Sequence, residues 1–487
     1  MIIAIGGKIK ITDFNADPKL IKWLEDNYQI DNPEYIKRVQ LNLWLGTTPK
    51  KLKLYTCYPD RLIYFPYGFM RELISFVRKN YPYDEVHYEL DVNEDKTAKW
   101  GKTKLTLRDY QEEAVEHMLK QKFGILKAPC SSGKTIMGHE LARRTGMKTL
   151  WLTHTRDLLN QSMQVGIQMV GEKNVGTITN GKVNIGKVIT YATMQTMGKM
   201  SHKDFAREFN CVIVDECHRC NTTFTRKQMS YIVNTISAEY KYGLSATPET
   251  FDGLGRTILA NLGPVEWTIE KEELIEQNRI MGVKIVPIHT GWVYPDESYL
   301  ANGTVDFHEA VKCMSMDRDR NKLIVSLLKD KPTIILADKT NLLVGIMNEL
   351  SEEQAKDACL ISTRHDEDML TGNGKLVARS HNYNKRLEYL TKMANGEYKY
   401  MFATYQLAKE GLNIPILEQA IFAFPAVNPN IITQSIGRVA RTCEGKELAV
   451  VYDLVDKPKY FQKLYKQRLK LYEKENNKVI DLREWGL

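Results

Sequence analysis

The chain has 487 residues, 43% hydrophobic and 26% charged, with a formal net charge of +8. That length and composition exclude a disordered chain and a single ordinary domain; two to four cored domains are expected. No apolar run is long enough to span a membrane, and the basic balance suits a phosphate-rich partner without proving one.

The N-terminus, MIIAIGGKIKITDF, has no basic region followed by a long apolar stretch, so no secretion signal is read there. The eight scattered cysteines are expected as reduced thiols. Residues 1–104 are read as a small α+β accessory domain. Asp17-Pro18 is a helix start, a cap then a first-turn proline, and LIKWL follows with its apolar residues on one face. The stretch KKLKLYTCYPDRLIYFPYGF (50–69) mixes Lys50, Lys51, Lys53 and Arg61 with Tyr58, Tyr64, Phe65 and Tyr67. Base stacking and phosphate contact use such residues. A small β domain with aromatics in its core and lysines in solvent would look the same. The domain is expected to select the substrate, because the rest of the chain is filled by other chemistry.

FGILKAPCSSGKT (123–135) is the first strong signal. A β-rich run ends at Ala128. A loop of Pro129, Cys130, Ser131, Ser132 and Gly133 leads to Lys134 and Thr135, and IMGHELARR reads as a helix. Strand, loop and helix are the context a phosphate loop needs. Small residues let backbone N–H groups close on phosphate oxygens, and the helix N-terminus adds positive charge. Lys134 is expected to reach the outer phosphates and Thr135 to ligate magnesium. Ala128 replaces the usual first glycine. Gly101-Lys102-Thr103 has the same letters without the preceding loop and is read as a decoy.

Cys211, Val212, Ile213 and Val214 suit a strand buried on both faces, with Asp215 and Glu216 at its C-terminal end. Asp215 can hold magnesium and Glu216 can orient and deprotonate a water. Cys217, His218 and Cys220 raise the alternative of zinc. Zinc needs four ligands, and no second CxxC exists to complete a familiar site. The cysteines are therefore read as small semi-buried residues, and His218 as a group able to sense a γ-phosphate.

KTLWLT, KVIT, CVIV and YGLSAT are read as strands of a domain over 105–278, and VKIVPIHT, TIILAD, ACLIS, YMFAT, AIFAF and LAVVYDL as strands of a second over 279–455. Helical patterns between them argue parallel sheets. Glycines 372, 374 and 396 punctuate the second. Residues 294–320 are read as a connecting helix, with an insertion touching nucleic acid as the alternative. QSIGRVAR (434–441) reads as helical. Arg438 and Arg441, three apart, would share one face, where two guanidinium groups are costly to bury without an anion. In the tail, 456–487, Phe461, Leu464, Tyr465, Leu469 and Tyr472 form a helical stripe expected to pack on the neighbouring domain.

Read together, LRDYQ (107–111), APCSSGKT (128–135), THTRDLL (153–159), TYATMQT (190–196), DECH (215–218), SATP (245–248), EGLNIP (410–415) and QSIGRVAR resemble the motifs of superfamily 2 helicases of the DExH type, in order, over about residues 105–455. Within that superfamily the plan is similar to the XPB-like, RecG-like and phage UvsW-type branch-migration helicases. The resemblance implies an α/β fold: two RecA-like parallel-sheet motor domains holding ATP, the N-terminal domain, and a C-terminal helix. It implies that Gln111, helped by Arg108, reads adenine, and that Thr155, Arg156, Thr193 and Gln195 line a nucleic-acid groove. Ser245 and Thr247 would couple that groove to the ATP site, and Gly411 and Asn413 would lie at the cleft. Gln434, Arg438 and Arg441 would enter the ATP site from the second domain. His154 stands where many relatives have proline, Asn413 where aspartate is common, and ETFDG (249–253) does not match the Arg-Glu-Asp run of XPB-like proteins.

The implied protein is an ATP- and magnesium-dependent DNA helicase or translocase acting as a monomer on branched, forked or duplex-containing DNA, in recombination, repair or replication restart. It would be cytoplasmic, in the host cytoplasm if phage-encoded. The alternatives are an RNA helicase of the same superfamily, a duplex translocase that separates no strands, and a non-catalytic zinc or nucleic-acid binding module.

Overall fold

The computed structural model describes residues 1–15, 17–58, 62–92, 97–101, 106–200, 205–220, 229–248, 254–295, 305–361, 378–380, 383–409, 414–426 and 428–485. Arg61, the Lys102-Thr103 part of the decoy, ETFDG, residues 296–304 of the connecting stretch, Gly372, Gly374, Gly411 and Asn413 lie outside the described residues. The chain forms two compact units, Met1–Pro129 with Gly133–Glu270 and Cys130–Ser132 with Lys271–Leu487.

The first unit opens with β1 (Ile2–Ile5), β2 (Ile9–Thr12), α1 (Pro18–Asn27), β3 (Gln29–Asp31), α2 (Pro33–Gln40), β4 (Lys51–Lys53), β5 (Thr56–Tyr58), β6 (Leu62–Phe65), α3 (Met70–Asn80) and β7 (His87–Leu90). Asp17 caps α1, its carboxylate accepting the Lys19 N–H at 2.7 Å, with Pro18 in the first turn, as the sequence predicts. The strands form a mixed sheet of order β5-β6-β2-β1-β7, and β3 and β4 form a separate two-stranded ribbon. Ile3, Ile9, Ile11, Leu20, Leu24, Ile63, Phe65 and Phe69 bury one core. Phe65 and Tyr67 therefore belong to that core, whereas Tyr58 is exposed and Tyr64 sits half-buried beneath the Lys8 ammonium.

The same unit continues through α4 (Asp109–Gln121), β8 (Phe123–Lys127), α5 (Lys134–Thr145), β9 (Thr149–Thr153), α6 (Arg156–Val170), β10 (Val175–Thr179), β11 (Lys182–Asn184), β12 (Ile189–Thr193), β13 (Cys211–Asp215), β14 (Tyr240–Ser245) and β15 (Val265–Thr268). These strands form a sheet of order β11-β10-β12-β9-β13-β14-β8-β15, parallel except for the β10–β11 edge. Every residue of β9, β12 and β13 is buried, as strands covered on both faces require.

The accessory sheet is packed directly onto this one. Phe123 of β8 and Ala260 belong to the accessory core. Tyr67 Oη donates to the Glu239 carbonyl (3.0 Å), and the wholly buried Lys241 Nζ donates to the carbonyls of Gly7 (2.7 Å) and Val233 (3.3 Å). A Cβ on Gly68 would lie 1.9 Å from the Leu259 carbonyl oxygen, so only glycine allows that approach.

The second unit contains β16 (Lys284–His289), β17 (Thr333–Ala337), β18 (Ala358–Ile361), β19 (Ala378–Ser380), β20 (Tyr400–Thr404), β21 (Gln419–Phe422), β22 (Val450–Val455) and β23 (Lys478–Val479), in the order β19-β18-β20-β17-β21-β22-β16-β23 with parallel pairing throughout. Ile335 and Ala337 face one core and Ile334 and Leu336 the other, so this sheet too is covered on both sides. The C-terminal segment is more than a helix: after Lys459–Lys474 it adds the edge strand β23 beside β16. The helix buries Phe461, Leu464, Leu471 and Tyr472, and also Arg468, which the apolar pattern passes over; Tyr465 and Leu469 are half-buried. Arg468 makes paired 2.9 Å bonds to the fully buried Asp453, which also accepts from Tyr472 Oη at 2.9 Å.

Candidate active site

The site of the first unit is a row of strand ends. In register, Lys127 of β8 lies beside Ser245 of β14, Leu244 beside Asp215 of β13, Val214 beside Leu152 of β9, and Thr153 beside Thr193 of β12. The phosphate loop, SATP, DECH, THTRD and TYATM segments thus leave one edge of one parallel sheet. That edge, beyond the carboxyl ends of the strands, is where open α/β sheets bind ligands.

At the loop, the Ala128 N–H donates to the Ser245 carbonyl at 3.0 Å, which joins its start to the SATP strand. Ser131 (φ 70°) and Gly133 (φ 85°) are left-handed, which turns successive N–H groups inward. Gly133 supplies the N-cap of α5 with no side-chain acceptor, so the first N–H groups of that helix remain available to an anion. Lys134 Nζ donates to the carbonyls of Ala128 and Pro129, both at 3.0 Å. A phosphate would outcompete these neutral acceptors for the ammonium. Gln111 is buried against the loop, its amide nitrogen 2.4 Å from where a Cβ on Gly133 would stand, and its Oε1 accepts the Arg108 N–H at 3.0 Å.

Asp215 ends β13 almost fully buried. Burial first, then the neighbouring Glu216, pushes its carboxyl above the ordinary carboxylate range, against the pull of Lys134. Glu216 adopts φ 51°, a strained conformation for a residue with a Cβ, and its N–H donates to Asp215 Oδ1 at 3.0 Å. The sequence reading has His218 sensing a γ-phosphate. The structure places its Nδ1 3.2 Å from both Glu216 Oε2 and Ser245 Oγ. Ser245 Oγ in turn accepts the Thr247 N–H at 3.1 Å. His218 therefore joins the DECH carboxylate to the SATP turn. Cys217 and Cys220 are buried in an apolar cluster, and burial pushes both thiols up, the reverse of what a zinc thiolate needs.

The residues expected to line a groove lie at and just beyond the ends of β9 and β12. Thr155 caps α6, accepting the Leu158 N–H (3.4 Å), and Arg156 is exposed in its first turn. Thr193 Oγ1 lies 3.0 Å from Thr196 Oγ1, and Gln195 is exposed. One contact that the motifs miss runs behind this row. His139 of α5 is wholly buried, its Nδ1 2.7 Å from the Thr135 carbonyl and its Nε2 2.6 Å from Tyr191 Oη on β12. The carbonyl can only accept, so Nδ1 carries the proton and Tyr191 donates to Nε2. Burial pushes the imidazole down to about 4. The signal available in the sequence is a histidine four residues after Thr135 on the same helix.

In the second unit, Gln434 and Arg438 lie one turn apart on the Pro429–Val439 helix, which Asn428 caps through the Asn430 N–H (2.9 Å). Arg438 Nε donates to the Ala408 carbonyl at 2.9 Å. Arg441 corrects the sequence reading: it is not on the helix face. The helix stops at Val439, and Arg441 forms an antiparallel bridge with Ile280 while the Met281 N–H donates to the Ala440 carbonyl at 2.7 Å. Lys446 Nζ caps the freed carbonyls of Val439 (2.6 Å) and Arg441 (2.7 Å).

Residues 104–250 match the family described as the Type III restriction enzyme, res subunit. Similarity extends beyond those residues. The DNA 3'-5' translocase XPB2 of Sulfurisphaera tokodaii is 25% identical over 398 residues, covering 77% of this chain and 87% of that protein. The ATP-dependent DNA helicase uvsW of Enterobacteria phage T4 is 25% identical over 359 residues, 71% of this chain and 68% of that protein. Among solved structures, S. cerevisiae Dbp5 bound to RNA and ADP BeF3 has a TM-score of 0.52 at 12% identity, covering 78% of this chain and 90% of that one. That likeness is one of fold, and it agrees with two RecA-like α/β domains. No helix among the described residues is long and apolar enough to cross a membrane.

Proposed function

We propose that this chain is an ATP-dependent DNA helicase or translocase that unwinds or branch-migrates DNA in recombination, repair or replication restart. The observation that carries the reading is the single row of strand ends at Lys127, Ser245, Asp215, Thr153 and Thr193, from which the loop to Lys134 and the segment starting at Glu216 leave on one edge. Nucleotide chemistry occupies one end of the row and the groove residues the other, so a change at one is felt along the same sheet edge. The DNA-acting relatives named above favour DNA over RNA.

In this reading Lys134 and the first N–H groups of α5 bind the β- and γ-phosphates. Two adjacent carboxylates, one of them buried and raised, suit a divalent cation, and Thr135 and Asp215 would hold magnesium. When bound, magnesium offsets charge on the phosphates. Glu216 takes the proton of the attacking water. Gln111 and Arg108 position the base. Gln434, Arg438 and Arg441 of the second unit, with Gly411 and Asn413, supply the groups that stabilise the transferring phosphoryl and sense its loss. The motor acts as a monomer, and the accessory sheet selects branched or forked DNA.

The deciding experiment measures ATP turnover and strand separation with matched single-stranded, duplex, forked and four-way DNA and with RNA. Stimulation by DNA and separation of forks are expected. Stimulation by RNA alone overturns the reading. Lys134→Ala is expected to lower turnover by about 10²-fold or more and to weaken nucleotide binding, because it removes the cation that meets the phosphates.

A further inference from the structure

The β3–β4 ribbon carries a projection that the motor does not use. Its helix, α2, buries none of its residues. Ile36, Val39, Leu41 and Leu43 are 43–57% exposed, and Trp44 is 84% exposed. Several large apolar side chains exposed within one short segment mark a contact site. The projection is also held in one shape. Asn32 ties its base together, donating from its N–H to the Lys50 carbonyl (3.0 Å) and from Nδ2 to the Pro49 carbonyl (2.8 Å). Arg38 Nη1 donates to the Trp44 carbonyl at 2.9 Å, and the Leu43 N–H donates to the Arg38 carbonyl at 2.8 Å. Gly46, left-handed at φ 51°, lets the Trp44 ring lie against its Cα; a Cβ there would stand 2.9 Å from the indole. The indole is thus braced on one side and open on the other.

The surrounding charge identifies the occupant. Lys37, Lys50, Lys51 and Lys53 are exposed on the helix and ribbon. Of the two acidic residues in this segment, Glu34 is already paired with Arg38. An open aromatic face amid lysines is complementary to a nucleobase flanked by phosphates. We propose that Trp44, on the braced 33–50 projection, stacks on an unpaired base at the junction where DNA strands separate, with Lys37, Lys50 and Lys51 holding the adjoining phosphates. The proposal rests on the DNA-motor reading and names the residue through which the accessory domain grips a fork.

The test uses the full chain and a forked DNA carrying 2-aminopurine at its junction. Trp44→Ala is expected to weaken fork binding about tenfold, within the range of one base–aromatic stack. It should abolish the 2-aminopurine quench and slow fork opening, yet leave ATP turnover on saturating single-stranded DNA unchanged. Trp44→Phe should retain most of the binding. Lys50→Glu with Lys51→Glu should weaken it in a salt-dependent way. The side chain is exposed and the carbonyl held by Arg38 is backbone, so thermal unfolding of Trp44→Ala should match the parent. Wild-type fork binding, quench and opening in Trp44→Ala overturn the proposal alone. So does a concentration-dependent dimer that Trp44→Ala abolishes while DNA binding is unchanged, since the patch would then meet a second copy. Absence of DNA-stimulated turnover in the wild-type chain overturns the motor reading beneath it.

Discussion

Asp215 and Glu216 are adjacent in the chain but differ in environment. Burial and Glu216 raise the Asp215 carboxyl above the ordinary carboxylate range, so between the two ranges the folded state binds more protons than the unfolded chain. Where the folded state binds more protons, stability falls as pH rises. In metal-free buffer the protein should therefore lose stability as pH climbs from the ordinary carboxylate range through the raised one. Asp215→Asn can still accept the Glu216 N–H, and it should flatten that loss and raise the unfolding midpoint at neutral pH while ending ATP turnover. A midpoint equal to or below the parent's would contradict this account. Glu216→Gln should instead leave nucleotide affinity near the parent's and slow turnover about 10²–10⁴-fold, the usual weight of a general base, in a single-turnover assay. The placing of both carboxylates at a strand end is legible in the sequence around DECH, because an apolar run followed by acids is local. The raised carboxyl of Asp215 is not legible there, since it depends on everything packed around the strand end.

At the scale of elements, strands and caps follow the pattern closely, and the misreadings have physical causes. QSIGRVAR has helical letters throughout, yet the helix ends at Val439 because the next residues pair with Ile280 and Met281, some 160 positions away. The tail helix shows a clean apolar stripe, yet buries Arg468, because Asp453 on β22 waits behind it. A buried ion pair is a poor source of net stability but costly to break. Arg468→Ala should cost about 3–5 kcal/mol, measured by chemical denaturation, since it leaves Asp453 with Tyr472 as its remaining side-chain donor among the described residues. Replacing both partners together with apolar residues should cost much less. A double-mutant cycle with no coupling would remove the pair from the account.

Over the whole molecule, the accessory sheet and the first α/β sheet behave as one packed body. Phe123 and Ala260 share the accessory core, Lys241 reaches back to Gly7, and Gly68 lies against the Leu259 backbone. Gly68→Val would force these layers apart and should cost about 1–3 kcal/mol or more, seen as a lower thermal midpoint and faster proteolysis; parent-like behaviour in both would mean that the contact is loose. The accessory sheet is thus seated on the sheet that carries the loop 128–133.

By itself the sequence determined what short segments can encode: the phosphate loop, the acid pair at a strand end, the alternation that makes two parallel sheets, and the Asp17-Pro18 cap. These depend on neighbours a few residues away, so the letters are enough. Only the tertiary structure decided which strand ends stand side by side, that His218 bridges Glu216 to Ser245, that Arg441 leaves its helix, and that Trp44 is bare. Nothing local distinguishes an indole in a core from one in water. Exposure and strand order arise from pairing between distant segments, and the free energy of that pairing belongs to the assembled sheet rather than to any stretch of it.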